Sequence, residues 1–252
     1  MSSTILATAG RIVHRLIERH GLEADAMFLS ADLDPEKLND PKARYPLDRS
    51  LELWRLISEQ IEDPCWGLAA GDLWRPTDFH ALGYAYLASG TLESALKRME
   101  RYFRIVTQGW SLRSSITDDG FSMTHVVSPA AANFPASQDT RLSIGLRMCR
   151  EVYGQEFRFR EVRLAHPWQA CGYEDFFGCP VRFVCDPIGS CLVERPLPHK
   201  GPRPGVDRWS EEPARALVAA GNGRLIPPEL GCGGGCRRRP CAVGQSPSHR
   251  PR

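Results

Sequence analysis

Apolar positions along the first third of the chain recur at helical spacing. Ile5, Leu6, Ile12, Val13, Leu16 and Ile17 fall on one face of a helix that Gly21 would stop. Ala24 to Ser30 reads as a short helix, and Pro35 as the first residue of another turn. PLDRSLELWRLISEQIEDP places Leu47, Leu51, Trp54, Leu56, Ile57 and Ile61 on one face, ended by Asp63-Pro64. CWGLAAGDLW predicts a further helix. Leu82, Tyr86 and Leu87 mark the next, which Ser89-Gly90 breaks. Thr91 is a good N-cap, with Ser94 three residues on in place of the Glu of a capping box. Behind it Leu92, Ala95, Leu96, Met99, Tyr102, Phe103 and Val106 recur at spacings of three and four.

The period then changes from helical to alternating. WSLRSSITDDGFSMTHVVS holds two such runs around Asp118-Asp119-Gly120, a hairpin signal. Leu112, Ser114 and Ile116 share one face; Phe121, Met123 and His125 share a face of the partner strand. A helix from about Ala136 to Gly154 follows, then a strand through Val162 and Leu164. Tyr173 to Phe177 is a short helical turn, VRFV a strand, and SCLVE the last strand. Helices first, then strands interrupted by helices, define an α+β class: N-terminal helices followed by a small, mainly antiparallel sheet packed with helices.

Composition changes this picture at the C-terminal end. The chain has 252 residues and net charge +2; 42% apolar residues suffice for a sizeable core. From His199 onward there are ten Lys/Arg against four Asp/Glu, so this part carries +6 and the first 198 residues −4. The same 54 residues hold nine Gly and eight Pro but only seven Leu, Ile, Val or Phe. Such a segment cannot bury enough apolar surface to offset chain entropy, so residues 199–252 are expected to be a disordered tail behind a folded unit at 1–198. No run approaches the roughly 18 apolar residues of a membrane span, and the N-terminus lacks a secretory pattern. The expected location is the cytoplasm, where the nine cysteines would stay mostly reduced, and the six of the body, Cys65, Cys149, Cys171, Cys179, Cys185 and Cys191, read as buried thiols.

Candidate chemistry is sparse. There is no phosphate loop, GxGxxG, HExxH or GxSxG, and no paired carboxylates outside surface-like positions, which argues against an enzyme. The seven histidines are scattered; His125 is the one to watch if the sheet lines a pocket. ERYFRIVTQGW interleaves Arg101 and Arg104 with Tyr102 and Trp110, a pattern for an anionic ligand or simply for an amphipathic helix. Arg101, Trp110 and His125 are the ligand-binding candidates, chosen by polarity and placement. In GCGGGCRRRPC, Cys232, Cys236 and Cys241 lack the second close pair of a zinc site, and three arginines on a disordered tail give weak, salt-sensitive contact with phosphate. No metal or cofactor is expected.

Several spaced motifs together carry a family resemblance. They are Asp34-Pro35, Pro46-Leu47, LGYAYLASGTLESALKRMERYFRIV, REVRLAHP and the fingerprint FFGCPVRF from Phe176 to Phe183. In this order, as far as about Pro198, the chain resembles the arabinose-binding-like N-terminal effector domain of AraC-type transcription regulators. Part of the fingerprint is physical: Gly178 can end the helical turn at positive φ, Pro180 suits a strand entry, and Phe176, Phe177 and Phe183 would anchor the turn. The resemblance implies a small-molecule effector held between sheet and helices, and a homodimer. Family members continue into two DNA-binding helix–turn–helix units, whereas residues 199–252 show no recognition-helix pattern. Gly, Arg, Pro and Ala come from GC-rich codons, so the tail is expected to be a frameshift or truncation product. The leading expectation is a ligand-sensing and dimerisation domain without its DNA-binding half. Its rivals are a stand-alone binding module or decoy that pairs with intact regulators, an enzyme or metal protein using the cysteines, and direct DNA binding through the basic tail.

Overall fold

The computed structural model describes residues 3–117, 120–127, 134–167, 169–184 and 188–193. The turn at 118–119 and all of 194–252, with GCGGGCRRRPC and the expected tail, lie outside the described residues.

The architecture is α+β, as the sequence predicts. The chain opens differently, however. Ile5 and Leu6 do not belong to the first helix but to a short strand β1 (Thr4–Leu6), paired antiparallel with β2 (Arg44–Pro46). Helical spacing misled here because three residues are too few to show alternation. The strand is held by main-chain bonds to a distant segment: Leu6 N donates to the Val106 carbonyl at 2.7 Å. Helix α1 (Gly10–Arg19) begins after one 3-10 turn, and α2 (Ala24–Ser30) matches its expected span. Asp34 caps the turn at Pro35–Asn39 by accepting from Glu36 N.

Helix α3 (Leu47–Gln60) buries fully only Leu53 and Ile57. Its expected apolar face is therefore half-covered, with Trp54 stacked on Trp66 at 5.1 Å. A 3-10 turn at Trp66–Ala69 runs into α4 (Ala70–Leu73), and another at Pro76–Phe79 precedes α5 (Ala81–Leu87). Helix α6 (Leu92–Tyr102) starts with the reciprocal bonds of a capping box: Ser94 N donates to Thr91 Oγ1 at 3.1 Å and Thr91 N to Ser94 Oγ at 3.2 Å.

Strands β3 (Trp110–Thr117) and β4 (Gly120–Val127) form the expected hairpin. The register pairs Leu112 with His125, Ser114 with Met123 and Ile116 with Phe121, so the two predicted faces are one face. The sheet continues in the order β3-β4-β7-β5-β6 through β7 (Ile188–Val193), β5 (Glu161–Leu164) and β6 (Val181–Phe183). Only β5 and β6 run parallel among the pairings described.

Helix α7 (Pro135–Tyr153) is the centre of the molecule. Every residue from Ala136 to Ile144 is buried, polar ones included. Such a helix needs close neighbours, and two glycines supply them. A Cβ on Gly67 would lie 2.2 Å from the Ala136 carbonyl oxygen, and one on Gly71 2.6 Å from that of Ser143. Backbone thus packs on backbone, and the Gly67 carbonyl accepts from Thr140 Oγ1 at 3.2 Å.

After β5, helix α8 (Tyr173–Phe177) ends at Gly178 with φ +68°, the left-handed cap expected of that glycine. Phe177 is fully buried and meets Phe159 at 6.3 Å, while Phe183 packs against Tyr173 at 5.6 Å. One expectation about the cysteines fails here. Cys65 and Cys171 are joined in a disulfide across 106 residues, their Cα atoms 5.3 Å apart, instead of remaining thiols. The fold brings the loop after α3 against the loop before α8, a meeting that no local spacing announces. Cys149 and Cys179 are free, and Cys149 is buried.

Candidate functional site: an apolar cavity with a buried arginine

The inner face of the hairpin, α6 and α7 border a cavity of about 80 Å³. Met99 comes from α6, Leu112 from β3, Met123 from β4, and Leu142 and Met148 from α7. A second cavity of about 110 Å³ lies towards α1, α2 and α3. Phe79, Phe103, Trp110, Arg141 and Ile144 line both, so these five residues form the partition between them.

Besides the Tyr86 hydroxyl and the Cys149 thiol, His125 and Arg141 interrupt the apolar lining of the first cavity. His125, 6% exposed, stacks on Trp110 with ring centres 5.3 Å apart and an interplanar angle of 19°. Its Nδ1 is buried without a hydrogen-bond partner. Desolvation, with the Arg141 charge adding to it, pushes the imidazole down to about 3, so His125 is neutral around pH 7. Arg141 is 9% exposed. Its Nη1 donates to Ser137 Oγ at 2.7 Å, its guanidinium lies 5.5 Å from the Trp110 ring centre, and its Nε has no partner. Burial lowers the guanidinium to about 10, against the opposing pull of Asp139, which leaves it cationic at neutral pH. Cys149 also lines the cavity, but burial pushes its thiol up to about 12, far from the thiolate a nucleophile needs.

Asp139 belongs to a separate buried network. Its Oδ1 lies 3.2 Å from His166 Nε2 and its Oδ2 accepts from Tyr173 OH at 3.1 Å. Burial raises the Asp139 carboxyl above the ordinary range, while its two partners and Arg141 pull it down. The network fastens α7 to the segment around α8, and Gln138 Oε1 adds a bond from Ala165 N at 2.9 Å.

The three residues singled out from the sequence separate in space. Trp110 and His125 meet at the cavity. Arg101 is exposed on α6, its guanidinium over its neighbour Tyr102 at 5.3 Å, and lines neither cavity. Arg141 was not singled out. Its only local signal is the polar run SQDTR near the start of a helix, which a solvated face would explain equally well. Among the described residues no three His, Cys, Asp or Glu side chains gather into a group that could hold a metal ion, and no helix is long and apolar enough to cross a membrane.

The described residues thus form a helical N-terminal part and a small mixed sheet, with a largely apolar cavity between the hairpin, α6 and α7. The chain belongs to the family described as the arabinose-binding domain of AraC transcription regulators, N-terminal, which it matches over residues 21–187. It is similar to the ornithine utilization regulator of Pseudomonas aeruginosa, with 25% identity over 213 residues, covering 81% of this chain and 62% of that protein. Its fold is similar to the crystal structure of the transcriptional regulator CdpR from Pseudomonas aeruginosa, with a TM-score of 0.53 and 17% identity. That match covers 78% of this chain and 60% of CdpR. The chain thus spans about three fifths of the length of these relatives, which are transcription regulators.

Proposed function

We propose that this chain is the effector-sensing and dimerisation part of an AraC-type transcription regulator, acting in the cytoplasm without catalysis. The effector occupies the cavity between α7 and the β3–β4 hairpin. The observation that carries this reading is a pair of buried, under-bonded polar side chains, Arg141 and His125, in the lining of a largely apolar cavity. Apolar walls supply affinity and a few placed polar groups supply specificity, as small-molecule sites require.

A melting-temperature screen of metabolites against the full chain tests it, because a ligand of the folded state stabilises by mass action. Compounds should raise the melting temperature of the wild type but not of Met148→Trp, which fills the cavity. No stabilising compound, or equal shifts in both proteins, would refute the reading. Dimerisation is tested by sedimentation, where a monomer at all concentrations is the contrary result. A stand-alone sensor that pairs with intact regulators is the second reading. It fails if the chain does not co-purify with an intact relative.

A further inference from the structure

We propose that the cavity takes a small monocarboxylate with an apolar body, its carboxylate seated on the Arg141 guanidinium beside His125. The inference rests on the reading of the cavity as the effector site and names the chemical class of the effector.

Charge comes first. Arg141 keeps its positive charge in a place where charge is costly unless paired. Among the described residues it makes no ion pair within 4.0 Å; its described hydrogen bond is to the neutral Ser137 hydroxyl. Asp139 acts on it only at longer range: it pulls against the effect of burial, but it forms no ion pair with Arg141 within 4.0 Å, and its oxygens bond His166 and Tyr173. The Arg141 Nε donor is left unused and buried. A planar guanidinium with a free donor matches a planar carboxylate.

The second polar atom agrees. His125 Nδ1 has no protein partner, and a neutral imidazole can carry its proton there and donate to the same carboxylate. One cation and one neutral donor suit a single negative charge. A phosphate dianion or a dicarboxylate would bring more charge than the site can match.

The remaining walls define the rest of the ligand. Leu96, Met99, Leu142, Met148 and Phe159 offer contact to an alkyl or single-ring body. Neither cavity has an Asp or Glu among its described lining residues. An ammonium group entering there would lose its hydration and find no counter-charge, so a basic amino acid is a poor fit.

Calorimetric titration of the full chain at neutral pH tests the inference. The probes are hexanoate and phenylacetate, their neutral counterparts 1-hexanol and 2-phenylethanol, inorganic phosphate and L-ornithine. The carboxylates should bind at least about tenfold more tightly than the alcohols, the scale expected for a desolvated charge pair. Arg141→Gln should abolish that preference and Arg141→Lys should keep part of it. If Arg141→Gln does not fold, as judged by circular dichroism, the wild-type ratio and Arg141→Lys still decide. Equal binding of acids and alcohols, or a preference that survives Arg141→Gln, overturns the carboxylate assignment while leaving the cavity as an effector site. Preference for phosphate or ornithine overturns it too. If no probe binds, the assignment falls, and the Met148→Trp screen separately decides whether the cavity binds anything.

Discussion

Trp110 and His125 stand on neighbouring antiparallel strands, diagonal to one another in the register, with their rings stacked 5.3 Å apart. The stack keeps a buried, neutral imidazole against a partly buried indole. This arrangement has a pH signature. The unfolded chain binds a proton at His125 near the ordinary value of 6.5, whereas the folded chain resists until about 3. Between those values the unfolded state holds more protons, so stability falls as pH drops and is fully present only above about 6.5. Unfolding by urea at pH 7 and pH 5.5 should show the wild type losing about 1 kcal/mol more than His125→Gln. The same pH dependence in both proteins would contradict the burial of a neutral His125.

Arg141 and the Trp110 ring both belong to the partition between the cavities, 5.5 Å apart. A buried cation without a direct ion pair weakens the empty protein, and a shape-matched apolar side chain often does better. Arg141→Met should therefore leave the melting temperature of the ligand-free protein unchanged or raise it. A fall equivalent to about 3 kcal/mol or more would mean that the guanidinium has a structural partner after all.

The contact between Gly67 and Ala136 leaves no room for a methyl group. Gly67→Ala would force the turn at 66–69 away from α7, where Thr140 is bonded to the Gly67 carbonyl. The expected cost is about 3 kcal/mol, the upper part of the usual range for overpacking. Chemical denaturation checks it, and a change below about 0.5 kcal/mol would show that α7 can shift freely.

Cys65 and Cys171 close a loop of 106 residues. Loop-closure entropy gives such a bond a typical worth of about 2–4 kcal/mol. Peptide mapping of oxidised protein should recover the Cys65–Cys171 pair, and Cys65→Ser should lower the unfolding free energy within that range. Alkylation of both thiols in native oxidised protein would contradict the pairing.

How far these features were legible in the sequence depends on their range. Ala24–Ser30, Tyr173–Phe177 and the Thr91–Ser94 box are local, and local spacing specifies them. The alternation around Asp118-Asp119-Gly120 located the hairpin and the face carrying His125, because a period of two fixes faces once the turn is known. The family resemblance rests on motifs of the same local kind. The strand at Thr4–Leu6 was hidden because its pairing partner is about forty residues away. Arg141 and the disulfide were hidden for the same reason. A polar residue on a helix becomes a site residue only when the helix is buried on all sides, and that depends on glycines 67 and 71 far upstream.

The central claim is that an effector sits between α7 and the β3–β4 hairpin. The most direct measurement is a crystal structure of the full chain with a stabilising compound from the screen bound. The account predicts ligand density among Met99, Leu112 and Met148, with its polar end within about 3 Å of Arg141. Ligand density on the outer surface, with the cavity empty, would contradict it.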